Sequence, residues 1–254
     1  MKSKGFTLVE LSIVIVIIGL IVAGIVGGQS LVNQAKLRNV INDINKYNVA
    51  INAFILEYNA SPGDILNATS YWPGLTNNGN GNGDINCTDT NPEEIALAWQ
   101  HLSLANLISG NFSGDVPGCS SGTTYNLGLD SPEGPLPKSH YRIFDKRDTF
   151  SMKGISNYIG FFGYRTNSTT NNTDGILTGK QAFSIDSKID DGVAFSGRIF
   201  GLKERPSWGE NNRCTLLSYG GAAVAPWDNP SAVASDYYLE ETVPRCVLTF
   251  FVNN

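Results

Sequence analysis

Histidine is almost missing from this 254-residue chain, which has only His101 and His140, so a multi-histidine metal centre is excluded. Charge is also scarce: Asp, Glu, Lys and Arg make up 16% of residues and the net charge is −5. A dedicated nucleic-acid binder would usually be basic, so that class is disfavoured. The hydrophobic share of 41%, with 10% aromatics, argues against a disordered chain. It suits one sizeable core or two small ones, at roughly 150 residues per domain. No Cys-x-x-Cys pair occurs, which removes the usual zinc and thioredoxin-like arrangements. No Walker-type phosphate loop is present, and no catalytic constellation emerges, so no enzyme is expected.

What is present is unevenly spread. No charge falls between Leu11 and Ala35, and LSIVIVIIGLIVAGIVGG within that stretch is nearly all aliphatic or Gly. A bilayer core of about 30 Å takes about 20 apolar residues in a helix, so the stretch reads as a membrane span. Lys2 and Lys4 precede it and would hold that end in the cytoplasm, leaving the rest of the chain outside. A cleaved secretory signal is opposed by the lack of a clear A-x-A-like site directly after the run, where Val26-Gly27-Gly28 is the nearest imitation. It is also opposed by Glu10, a carboxylate in an apolar segment, which is costly there and points to function.

The segment MKSKGFTLVELSIVIVIIGLIVAGI resembles the processing and assembly segment of type IV prepilins and of type II secretion pseudopilins. The resemblance covers roughly the first 30 residues. It implies a cut after Gly5 by a prepilin peptidase, N-methylation of the new first residue, Phe6, and an assembly role for the Glu10 carboxylate. It further implies other pilin-like subunits as partners, an inner-membrane assembly platform and a separate ATPase. Gly19, Gly24, Gly27 and Gly28 interrupt the span, each at a cost of about 1 kcal/mol relative to Ala in a helix interior. They read either as close helix–helix contacts or as a stretch, Gly24 to Gly28, that unwinds when subunits pack.

Helical periodicity continues beyond the span. Leu37, Ile44, Ile51 and Tyr58 recur at heptad intervals, with Val40, Tyr47 and Phe54 between them, and Lys36, Arg38, Asp43, Lys46 and Glu57 occupy the other face. This predicts a helix over 6–59, about 80 Å long at 1.5 Å per residue, with its span at about 8–28 and an amphipathic stalk at 29–59 that a head packs against. A short coiled coil is the rival reading of the stripe. Residues 1–5 are then a leader and 60–254 a globular head. Ser61-Pro62-Gly63-Asp64 ends the helix, because Pro-Gly is a strong breaker.

In the head, Asn77 to Ile85 is a run of Asn and Gly. With Asn78 taken as first position, Asn80 and Asn82 fall at the third and fifth, Gly83 at the sixth, Asp84 at the seventh and Asp89 at the twelfth. The spacing resembles the calcium loop of EF-hands, although Asn stands where Asp is usual and Asp89 where a bidentate Glu is. Calcium is thus one reading of the loop, with no cofactor required; an Asn-Gly turn cluster is the other.

Asn91-Pro92 opens a helix expected to end near Gly110, with His101 at its surface or as a cap. Strands are expected at Tyr141–Phe144, Tyr158–Tyr164, Val193–Ile199 and Val247–Val252, and Thr178–Ile189 suits a short helix. Asp186, Asp190, Asp191 and Gly192 read as a solvated helix end with a turn, or as a second cation site. Cys87, Cys119, Cys214 and Cys246 all lie in the head. Export favours disulfides, and of the three possible connectivities the neighbour pairs Cys87–Cys119 and Cys214–Cys246 are expected. The second pair resembles the disulfide-bounded terminal loop of many pilins.

The expected class is α+β, a long helix packed against an antiparallel sheet. The resemblance implies a structural subunit of a type IV pilus-like filament, and a head this large suits a minor or tip subunit. A type II secretion pseudopilin is the alternative within the family. A membrane-tethered carbohydrate- or ligand-binding domain that does not polymerise is the alternative from another class.

Overall fold

The computed structural model describes residues 7–86, 94–115, 126–145, 157–164, 174–203, 214, 236–240, 242–244 and 246–252. One helix dominates it. α1 runs unbroken over Leu8–Tyr58, through every glycine of the apolar stretch. Among the described residues its first half touches nothing else: residues 8–35 are exposed, and a Cβ built on Gly19, Gly24, Gly27 or Gly28 would meet no atom within 4 Å. α1 is long enough and apolar enough to cross a membrane. Its second half is one-sided as expected, burying Leu37, Val40, Ile44, Tyr47, Ala50, Ile51 and Phe54. The head covers this stripe, so the packing belongs to one chain and no coiled-coil partner is needed to explain it.

α1 ends where the sequence breaks the helix. Asn59 adopts the left-handed conformation at φ 51° and its N–H bonds to the Ile55 carbonyl at 2.9 Å, a common helix terminator. Gly63 follows at φ 91°. A single turn, α2 (Ala68–Tyr71), then leads through the Asn-Gly loop to α3 (Glu94–Leu104). α3 stops short of Gly110, and Asn91 and Pro92, its expected opening, lie outside the described residues.

The head is built on a five-stranded sheet of β1 (Ser139–Asp145), β2 (Asn157–Gly163), β3 (Phe195–Ser196), β4 (Ile199–Lys203) and β5 (Cys246–Phe251). Its order is β1-β2-β5-β4-β3, and every pairing is antiparallel. The C-terminal strand β5 therefore sits in the middle, locked between β2 and β4. α4 (Gly179–Ile189) precedes the β3–β4 hairpin and touches both α1 and β5. The α+β class holds, with the long helix packed on an antiparallel sheet.

Side chains alternate across the strands, so Tyr141 and Ile143 share a face with Ile159 and Phe161 on β2 and with Leu248 and Phe250 on β5. This face meets α1. The Tyr47 ring sits edge-on to Trp99 of α3 at 5.0 Å and to Tyr141 of β1 at 5.1 Å, tying three elements together. The Tyr141 hydroxyl donates to Asp43 Oδ2 at 2.9 Å, which gives the half-buried carboxylate a partner. Burial still holds the Asp43 carboxyl above the ordinary range, against the pull of Tyr141 and Lys46.

One expected strand is corrected. Val193–Ile199 is a hairpin, in which Ser196 closes β3, Gly197 turns at φ 66° and Ile199 opens β4. The physical reason is Gly197, which supplies a positive φ at no steric cost and lets a two-residue turn join the strands. Cys214 and Cys246 form the expected disulfide, with Cα atoms 4.9 Å apart, and it fastens residue 214 to the middle strand. Cys87 and Cys119 lie outside the described residues.

The Cys214–Cys246 bond closes a separation of 32 residues, which in the chain-entropy account contributes on the order of 3 kcal/mol. Cys214→Ser is therefore expected to lower stability by about that amount in denaturant titration of the purified full chain. An unchanged midpoint would show that the bridge adds nothing.

Candidate functional site

The start of α1 is the first place where sequence and chemistry meet. Thr7 is extended (φ −80°, ψ 152°) and is the N-cap of the helix. Its hydroxyl oxygen accepts from the Glu10 N–H at 3.3 Å. In return the Thr7 N–H and hydroxyl both donate to Glu10 Oε2, each at 2.8 Å. This reciprocal pattern is a capping box, which satisfies amide donors that the first turn otherwise leaves open. The negative charge also lies at the positive end of the helix dipole. Gly5 and Phe6 lie outside the described residues.

Glu10 is exposed, as are its apolar neighbours. No Lys or Arg follows it before Lys36, so the carboxylate's described partners belong to Thr7 alone. The Thr-x-x-Glu spacing of Thr7 and Glu10 is the readable signature of this cap. The sequence reading used Glu10 and passed over Thr7, so Thr7 is the residue it missed. Thr178 and Gln181 repeat the same device at the start of α4.

The second region is the Asn-Gly loop. Its organising groups are two carboxylates from outside it. Asp64 Oδ1 accepts from the Asn82 N–H at 3.0 Å, and Oδ2 from the Gly83 N–H at 2.8 Å. The Asp64 carbonyl takes the Gly81 N–H at 3.1 Å. Glu94, fully buried at the start of α3, accepts from Asn80 and Asn86 N–H groups at 2.9 and 3.2 Å. Burial pushes the Asp64 carboxyl above the ordinary range, and the amide bonds from Gly83, Asn82 and Gly81 oppose that push.

The loop's own side chains turn to backbone amides. Asn78 Oδ1 accepts from Thr69 at 2.9 Å, Asn80 Oδ1 from Asn82 at 3.0 Å, and Asn82 Oδ1 from Asp84 at 2.9 Å. The last two are Asx turns. Asp89 lies outside the described residues.

His101 departs from expectation. It is fully buried, because the segment after α1 folds over the face of α3 that carries it. Its Nδ1 accepts from the Gly63 N–H at 2.9 Å, and Nε2 lies 2.9 Å from the Thr76 hydroxyl. The ring stacks on Phe54, inclined by 6° at 6.3 Å, and on Trp72 at 5.6 Å. The residue is a staple between the stalk, α3 and the connecting loop. Burial pushes its pKa down to about 4. His140 on β1 is buried without a partner on either ring nitrogen among the described residues, and burial together with Arg142 holds its pKa down to about 3.

The acidic group at the end of α4 is also closer packed than a solvated turn. Asp186 is buried and accepts from the Tyr237 hydroxyl at 2.7 Å and from the Gly192 N–H at 3.2 Å. Asp190 takes the amides of Arg198 and Ile199, and Asp191 takes that of Val193. The three carboxylates lie close enough to share a cation. The described bonds use them to anchor the turn into the β3–β4 hairpin.

Comparison with known proteins speaks to the first region. Residues 1–26 match the family model described as the prokaryotic N-terminal methylation motif. No curated protein and no solved structure matches the chain. The match spans Gly5, Phe6, Thr7, Glu10 and most of the apolar stretch. The chain therefore carries a type IV prepilin-like cleavage and methylation segment. The motif and the apolar helix together mark a membrane-anchored chain.

The buried histidines set an acid response. His101 has its pKa lowered from 6.5 to about 4 in the folded chain, so between those values the unfolded state binds more protons. Stability is full above 6.5 and falls as pH drops toward 4. Asp186 acts oppositely: burial raises its pKa from 3.8 to about 6, so its part of the stability is lost as pH rises through that range. His101→Gln is expected to flatten the loss between pH 6.5 and 4 by on the order of 2–3 kcal/mol, read from denaturant midpoints of the full chain. Parallel curves for the two proteins would contradict the assignment.

Proposed function

We propose that this protein is a structural subunit of a type IV pilus-like filament, built in through its first helix, and not an enzyme. A prepilin peptidase removes residues 1–5 and methylates the Phe6 amine. The head stands on the far side of the inner membrane until the helix leaves the bilayer for the filament. The observation that carries this reading is the start of α1: a cleavage and methylation motif, a carboxylate four residues after Phe6, and an apolar helix over which none of the described residues fold. Other pilin-like subunits, the peptidase and an inner-membrane platform with its ATPase are the proposed partners.

The capping box supports a specific assembly step. In the single chain Glu10 is held by neutral donors from Thr7. Those donors stabilise the carboxylate without neutralising it. The cut creates a charged amine at Phe6, and in a packed bundle the amine of a docked subunit meets the Glu10 of an incoming one. The Thr7 bonds are already charge-assisted, but they leave the net charge in place, and a carboxylate among aliphatic side chains is costly, so Glu10 gains by meeting a neighbour's cation. The pairing sets the axial register. Val49 and Leu56, exposed on the stalk face away from the head, are further surface for such packing. A secretion pseudopilus would use the same processing and the same pairing; recovery of the chain from sheared surface filaments separates the two.

Glu10→Ala subunits are expected to be cut and membrane-inserted normally, yet to build no filaments by themselves. Gly5→Val is expected to leave the leader attached, since the peptidase needs a small residue at the cut, and to stop assembly while insertion persists. Intact mass and shearing assays read both. Filaments of normal yield from Glu10→Ala subunits, or a Phe6 start in Gly5→Val, would overturn the reading.

A further inference from the structure

The Asn-Gly loop has a chemistry that its hydrogen bonds control. Asn78-Gly79, Asn80-Gly81 and Asn82-Gly83 are three successive Asn-Gly pairs. In such a pair the glycine nitrogen, having lost its proton, attacks the asparagine Cγ. The new N–C bond closes a five-membered succinimide and the side-chain nitrogen leaves as ammonia. Water then opens the ring at either carbonyl, giving aspartate or isoaspartate. No oxidant or enzyme is required. Glycine favours the attack because no Cβ shields its nitrogen.

The fold holds all three attacking nitrogens, but by different means. The Gly79 N–H donates to the Ile65 carbonyl at 2.8 Å. Gly79 is buried, packed on the backbone of Gly63 and Asp64 so tightly that a Cβ would overlap it. The Gly81 N–H donates to the Asp64 carbonyl at 3.1 Å, and although Gly81 is exposed, a Cβ there would strike the Leu66 side chain. The Gly83 N–H is held by a side chain, Asp64 Oδ2 at 2.8 Å. Around Gly83 the space is open, with no atom within 4 Å of where a Cβ would stand, and Asn82 is exposed. A backbone carbonyl keeps its place while the chain stays folded. A carboxylate can rotate, be protonated or be substituted.

We propose that Asn82-Gly83 is a spontaneous modification site of the head, at which deamidation is gated by the Asp64 carboxylate. With Asp64 in place the Gly83 nitrogen keeps its proton and its direction, and the loop persists despite its sequence. When that bond opens, Asn82 converts before Asn80 and Asn78. The product puts a new negative charge beside Asp64 and Asp84. That charge opposes the Asp64 contact that held the loop, so conversion at Asn82 loosens the Gly81 bond to the Asp64 carbonyl and favours conversion at Asn80 next. An exported subunit would thus carry a chemical record of its age in this loop.

The test is peptide mapping by mass spectrometry of the purified full chain during incubation at mildly alkaline pH, folded and in denaturant. In the folded wild type, Asn82 is expected to convert first of the three and at least about tenfold slower than in denaturant, a factor equal to about 1.4 kcal/mol of protection. Asp64→Ala is expected to bring Asn82 toward the denatured rate while Asn78 stays protected. Asp64→Asn, which keeps an oxygen acceptor, should fall between. If Asp64→Ala does not fold, the order of conversion in the wild type and the Asp64→Asn rate still decide. Conversion of Asn78 before Asn82, a folded rate for Asn82 equal to the denatured one, or an Asp64→Asn rate equal to wild type would overturn the proposal.

Discussion

A carboxylate at the mouth of an apolar helix must have a partner wherever the helix goes. Water supplies it in solution, but neither a bilayer nor a bundle of aliphatic side chains can. In this chain Glu10 stands ahead of a stretch without a single charge up to Ala35. The single subunit answers the constraint locally, with the Thr7 amide and hydroxyl. In the proposed filament the answer would lie between subunits, with an amine that exists only once the leader is removed. On that proposal processing and assembly are linked by one requirement: the counter-charge for Glu10 is made by the cut.

The rest of the molecule follows from having one helix serve two solvents. Its first half must be apolar all round, and none of the described residues cover it. Its second half buries only the stripe from Leu37 to Phe54 and keeps Lys, Arg and Asn outward. The sheet lies on that stripe through Tyr47, Tyr141 and Trp99, and the C-terminal strand closes its centre. Motion of the helix along its axis therefore carries the whole head with it. The loops after α1 are fastened by groups that burial keeps in one protonation state, such as neutral His101 between Gly63 and Thr76.

Local patterns were legible in the sequence. The heptad recurrence of Leu37, Ile44 and Ile51 marked the buried face, Pro62-Gly63 marked the helix end, and short strand-like runs marked β1, β2 and β5. The Cys214–Cys246 pairing also emerged as expected. What escaped depended on distant partners or on one backbone angle. Nothing local says that His101 is buried, because its partners Gly63 and Thr76 precede it by 38 and 25 positions in the chain. Gly197 split one expected strand into a hairpin through a positive φ. In the Asn-Gly loop the spacing drew attention to Asn78, Asn80 and Asn82, whereas the bonds that organise the loop come from Asp64 and Glu94, which no spacing rule connects to it. Thr7 was in plain view as half of a capping box and was overlooked beside the more conspicuous Glu10.

The most direct measurement is electron cryomicroscopy of filaments containing this chain, at a resolution that shows side chains. The account predicts a chain beginning at Phe6, with the Glu10 carboxylate in contact with the N-terminal amine of a neighbouring subunit and no longer bonded to its own Thr7. A Glu10 still capped by Thr7 of the same chain, with no amine of another subunit beside it, would contradict the central claim.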